Sequence, residues 1–146
     1  MKLIHKYNFQ LLVICVILFL SSCMNEKAIP DYNAYPDEIG KIVFTKCAVS
    51  GCHNEASKDA AGGLSLESWD KLFEGGRNSV SVIPYRSDYS TLMYYINTYA
   101  DLGVALTPTM PYNRDKLTRE EVVLVRDWIN NGAPNKDGFV KFSDKP

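Results

Sequence analysis

The chain has 146 residues, 46% of them hydrophobic and 23% charged, with a formal net charge of −1. That size and balance suit one small globular domain and argue against a second. A mildly acidic chain is also a poor partner for nucleic acid.

The first residues read as an export signal. Lys2 and Lys6 supply a positive start, and Leu11 to Leu20 is an unbroken apolar run, too short for a membrane span of about 20 apolar residues. The run ends in Leu20-Ser21-Ser22-Cys23, which looks like a bacterial lipobox, where cleavage before Cys23 would leave a thiol to be acylated. The expected organisation is a lipoprotein signal peptide over residues 1–22, a lipidated tether over 23–36, a domain over 37–134 and a C-terminal tail over 135–146. An uncleaved anchor helix is the alternative for the first segment. Either way the domain lies in the cell envelope, attached to the inner or outer membrane and facing the periplasm or the surface. Loss of Lys2 and Lys6 leaves 14 of the 16 basic residues against 17 acidic ones, a net −3.

Residues 24–36 carry Pro30, Pro36, Asn25 and Asn33 with no apolar periodicity, and read as a flexible tether. From Asp37 the pattern changes. Ile39, Ile42, Val43 and Phe44 give an apolar face at helical spacing, which predicts a helix over Asp37 to Lys46. Gly40 on that helix would let a second helix approach, with Phe44 packing in the angle. Residues 54–63 read as a surface loop. Ser65 is expected to cap a helix through Phe73 that stops at Gly75-Gly76, and Val80 to Ile83 form at most a short extended piece. Ser87 or Asp88 can cap a helix through about Tyr99. Leu106 to Pro111 cannot be regular helix, because its prolines lack the amide donor. Thr118 and Glu121 then form a T-x-x-E capping box that opens a helix from Arg119 to Asn130, with Val122, Val125, Trp128 and Ile129 buried and Gly132 as its stop.

The chemistry-bearing residues are concentrated in Cys47-Ala48-Val49-Ser50-Gly51-Cys52-His53. The chain has four Cys and two His. Cys15, His5 and Cys23 fall in the signal and lipidation segments, so two thiols and one imidazole are left, all in this cluster. A c-type haem uses such a set: each thiol adds to one vinyl group, and the following His is held under the iron. The spacing here is four residues rather than the usual two, and Gly51 could supply the bend that loops the extra residues out. A Met thioether on the other side of the iron would complete a closed, low-spin centre. Met24 lies in the tether and Met93 within a helix, where Met is most often a packing residue. Met110, on a proline-stiffened loop, is the preferred sixth ligand.

Further segments carry a resemblance: Gly62-Gly63-Leu64-Ser65-Leu66-Glu67-Ser68, the Gly75-Gly76 turn, Val82-Ile83-Pro84 with Ser90-Thr91-Leu92, Met110-Pro111, and Leu117-Thr118 through Trp128-Ile129-Asn130-Asn131-Gly132-Ala133-Pro134. Together they resemble the planctomycete-type cytochrome c domain, itself similar to class I cytochrome c, over about Ile39 to Pro134. The resemblance implies an all-α fold of about four short helices around one covalent haem c, the first and last helices crossing, with Gly40 and Phe44 meeting the Trp128 face. It implies Cys47 and Cys52 as thioether attachments, and His53 and Met110 as the axial ligands of the haem iron. Phe44, Trp69, Tyr95 and Trp128 are the expected walls of a dry pocket.

The expected function is single-electron transfer by a membrane-anchored monohaem cytochrome. It would be a carrier rather than an enzyme, with redox proteins as partners, no catalytic residues and no small-molecule substrate. Three other readings remain open. One is a zinc site on Cys47, Cys52 and His53, which lacks a fourth Cys or His. Another is a lipoprotein binding or scaffold module with a Cys47–Cys52 disulfide. The third is a haem enzyme or sensor with an open iron position, or a subunit of a larger haem oxidoreductase.

Overall fold

The computed structural model describes residues 31–77 and 79–142. The expected signal peptide, the lipidation site Cys23 and the tether up to Pro30 lie outside the described residues. Among the described residues the regular structure is entirely helical, with four α-helices and no strand. None of these helices is long and apolar enough to cross a membrane.

Helix α1 spans Asp37–Ile42, entered from Pro36, with Asp37 and Glu38 placed favourably at the positive end of the helix dipole. It does not stop there. Val43–Cys47 continues as one π-helical turn in which the Ala48 N–H donates to the Val43 carbonyl, 2.8 Å away. The predicted helix is therefore present, and its last turn is widened where it meets the Cys cluster, a placement common for π-turns at functional sites.

Helix α2 spans Trp69–Glu74. Its cap is Ser68, which accepts from the Lys71 N–H, and not Ser65 as the sequence suggests. Ser65 is buried instead. Gly75, at φ +74°, ends the helix as predicted. Val80 to Ile83 form no strand. Helix α3 spans Thr91–Ile96 and follows a separate 3-10 turn at Ser87–Tyr89. The expected single helix from Ser87 to Tyr99 is thus broken at Ser90, whose hydroxyl donates to the Arg86 carbonyl and accepts from the Ile83 N–H. A side chain bonded back to the preceding backbone competes with helix continuation.

Helix α4, Arg119–Asn130, matches the predicted bounds, and both arms of the Thr118/Glu121 capping box are made. Val122, Val125, Trp128 and Ile129 are its buried residues. They join α1, α2 and α3 in a single core that includes Ile39, Ile42, Leu72, Met93 and Ile96.

Two expectations about the ends of the domain are corrected. Residues 31–36 are not tether. Tyr35 is among the most buried side chains, at 1% exposure, and packs against Phe44 and Trp128. Asn33 and Ala34, both at positive φ, turn the chain between Tyr32 and Tyr35, and the Asn33 carbonyl accepts from the Trp69 N–H. Residues 135–142 are not loose either. Phe139 and Phe142 pack edge-on against Trp69 and Phe73, and the Lys136 N–H donates to the Ala34 carbonyl. Helices α1 and α4 touch, but the space left by Gly40 is filled by Tyr32 and not by α4. Phe44 likewise packs on Tyr32 and Tyr35, and Trp128 meets Tyr35.

Candidate functional site

The π-turn of α1 delivers Cys47, and the chain then loops out and returns. The Cys52 N–H donates to the Val49 carbonyl at 3.0 Å, Gly51 sits at φ +80°, and the His53 N–H donates to the Cys47 carbonyl at 3.1 Å. The last of these bonds closes the spacer, so the extra residues bulge outward while His53 comes back to the end of α1. Gly51 supplies the left-handed bend that a residue with a Cβ disfavours.

His53 is half-buried, and its Nδ1 lies 3.3 Å from the Leu64 carbonyl oxygen. A carbonyl only accepts, so this bond requires the proton on Nδ1 and leaves the Nε2 lone pair free. Burial pushes the imidazole below its ordinary value of 6.5, with the Leu64 bond opposing. The result is a neutral, oriented imidazole, the state a metal needs.

Cys47 and Cys52 are both free thiols, so the two are not joined as a disulfide. The Cys47 thiol is pushed up to about 12, mainly by burial and then by the neighbouring Cys52 and Glu121, with Lys46 opposing. It stays protonated. Among the described residues no group of three or more His, Cys, Asp or Glu is placed to hold a metal ion, which leaves the zinc alternative without its ligand set.

Cys47 lines an apolar cavity with Tyr35, Ile39, Ile42, Val43, Leu66, Leu72, Leu92, Ile96, Leu117, Val125 and Trp128. Its free space is about 20 Å³, far below the roughly 300–1,000 Å³ of ligand sites, so the side chains close on one another here. Next to Cys47 in sequence, Thr45 and Lys46 line an open cleft of about 370 Å³ with Arg114 and Asp115. Of the four aromatic residues expected to wall a pocket, only Trp128 lines the apolar cavity. Trp69 is turned to the tail, donating to the Ala133 carbonyl, and Tyr95 is partly exposed.

The two candidate methionines differ in setting. Met93 is buried in the core on α3, whereas Met110 is partly buried on its loop and packs against the same core that Cys47 touches. Both X-Pro bonds of the loop, Thr107–Pro108 and Met110–Pro111, are cis. The Met110 N–H donates to the Tyr95 carbonyl at 2.7 Å, and Leu106 to that of Tyr94, which ties the loop to the end of α3. Around it Val104, Leu106 and Tyr112 are exposed.

Sequence reasoning missed Tyr35, Leu64 and Lys116, the last of which donates through its ammonium to the Thr109 and Pro111 carbonyls beside Met110. Tyr35 left a trace, as an aromatic residue in a polar stretch. The other two act through a carbonyl and an amine that no periodicity marks.

Two free thiols in one loop and an imidazole whose Nδ1 is held by Leu64 are the donor types that a c-type haem uses, and of them Cys47 stands beside the apolar walls. No curated protein and no solved structure matches the chain. A family model described as Planctomycete cytochrome C matches residues 50–104, a span that contains Cys52, His53, α2 and α3. That segment is similar to a family whose name implies covalent haem and an electron carrier rather than an enzyme.

Proposed function

We propose that this chain is a monohaem c-type cytochrome, anchored to a membrane through Cys23 and exchanging single electrons with redox proteins outside the cytoplasm. The observation that carries the proposal is the bond from His53 Nδ1 to the Leu64 carbonyl. It fixes the tautomer and leaves the Nε2 lone pair available, on the loop that also holds both thiols.

When bound, the haem supplies an iron that takes up and releases one electron at a time. The chain's residues do the rest. Cys47 and Cys52 would hold the haem covalently, each through a thioether made by adding its S–H to a vinyl group, which needs no oxidant. His53 would offer Nε2 to the iron, and Met110 would offer its thioether, a soft donor that raises the potential. The apolar residues around Cys47 exclude water. The exposed Val104, Leu106 and Tyr112 beside the Met110 loop suit brief docking with a redox partner.

Absorption spectra of two variants test the assignment. His53→Ala should carry no stable low-spin haem, and a normal spectrum in that variant contradicts the proximal role. Met110→Ala should keep its haem attached while opening the sixth position and lowering the potential. An unchanged spectrum moves that role to Met93.

A further inference from the structure

We infer that Lys116 is the positioning residue of the sixth ligand, resting on the haem assignment above. Its ammonium donates to the carbonyls of Thr109, at 2.8 Å, and Pro111, at 2.5 Å, the residues immediately before and after Met110. The Thr109 carbonyl lies in the peptide plane that leads into Met110 and the Pro111 carbonyl in the plane one residue beyond it, so the two bonds bracket Met110. With the Met110 N–H bound to the Tyr95 carbonyl, the backbone that carries the thioether is held at three points.

The clamp has its own support. The Lys116 carbonyl lies 3.5 Å from Lys46 Nζ, and the same ammonium contacts Glu121 Oε2 at 2.6 Å. Lys46 immediately precedes Cys47. One continuous set of polar contacts thus runs from the haem-attachment turn, through α4's first turn, to the loop of Met110. An ammonium bound to two carbonyls in a partly buried setting makes stronger bonds than a neutral donor. Among the described residues no carboxylate is bonded to the Lys116 amine.

The consequence is local. Without the ammonium, the two carbonyls lose their donor and the loop gains freedom, so the thioether should yield more readily to an outside ligand. The test is titration of the ferric, haem-loaded protein with imidazole, which competes for the sixth position, in the wild type and in Lys116→Met, Lys116→Arg and Met110→Ala. Lys116→Met should bind imidazole about ten- to a hundredfold more tightly than the wild type, the size expected from losing charge-assisted bonds. Its haem should remain attached and ligated by His53. Lys116→Arg, which keeps charge and donors, should recover most of the wild-type affinity.

If Lys116→Met lowers thermal stability but leaves imidazole affinity unchanged, the residue is only structural and the inference is overturned. Should that variant not fold, a structure of the haem-loaded wild type decides: Nζ bonded to both carbonyls supports the clamp, and Nζ turned to solvent overturns it. Met110→Ala separates the two levels. If it binds imidazole no more tightly than the wild type, Met110 is not the ligand and both the site assignment and the clamp fail. If it binds more tightly while Lys116→Met does not, the clamp alone fails.

Discussion

The Nδ1 of His53 is held by the carbonyl oxygen of Leu64, eleven residues further along the chain. The contact joins the Cys loop to the segment leading into α2, and gives the imidazole one tautomer before any metal is present. Burial holds this His below 6.5, so between its folded and unfolded values the unfolded chain binds more protons. The sign follows. Stability from this group is complete above about 6.5 and is lost as pH falls toward the folded value. Denaturant midpoints of the haem-free chain against pH should show this loss, and His53→Gln should remove it. Parallel pH curves for the two proteins would contradict it.

Gly40 lies under the Tyr32 side chain, and a Cβ there would overlap it. In an exposed helix, Gly→Ala gains about 1 kcal/mol. Here Gly40→Ala should instead lose roughly 1–3 kcal/mol, the usual cost of overpacking. Combining it with Tyr32→Gly, which removes the Tyr32 Cβ that a Cβ at position 40 would meet first, should remove the overlap. Chemical denaturation measures both, and a stabilised Gly40→Ala would mean that Tyr32 does not pack there.

The Tyr35 hydroxyl is buried without a hydrogen-bond partner, and burial raises its pKa far above the ordinary value. An unsatisfied buried hydroxyl costs about 1–3 kcal/mol. Tyr35→Phe in the haem-free chain should therefore keep or raise the midpoint, whereas Tyr35→Ala should lose about 3–5 kcal/mol by opening a cavity against Phe44 and Trp128. A large loss in the Phe variant would show that the hydroxyl has a partner.

Glu121 has two tasks, closing the α4 capping box and pairing with Lys46 at 2.6 Å. Thr118→Ala removes one arm of the box and should cost about 1 kcal/mol. Glu121→Gln keeps an acceptor and gives up the ion pair, which at this exposure is worth up to about 1 kcal/mol. Glu121→Ala loses both and should be the worst of the three in thermal melts.

Much of the fold was legible because local chemistry decides it. The Thr118/Glu121 box, the apolar stripe of α4 and Gly75 are all read from neighbouring residues, and α4 has the predicted bounds. The entry to α1 was legible for the same reason, and Gly51 bends as its place in the spacer suggested. The misreadings are tertiary. Tyr35 and the Phe139–Phe142 segment are drawn in by aromatic contacts with residues far along the chain, which overrule a polar, aperiodic local sequence. The partner of Gly40 proved to be a tyrosine just before the helix, because a sequence shows that a gap exists and not what fills it. At the site, Cys47, Cys52, His53 and Met110 were visible as donor types. The Leu64 carbonyl and the Lys116 amine were not, since their roles exist only once the loops are closed.

The most direct test of the central claim is an oxidised-minus-reduced absorption spectrum, paired with the mass of the denatured protein, on the full chain produced alongside cytochrome c maturation machinery. The account predicts sharp reduced bands of a low-spin haem and one haem retained covalently through Cys47 and Cys52. A chain that emerges from those conditions with no covalent haem, its two thiols still free, would contradict it.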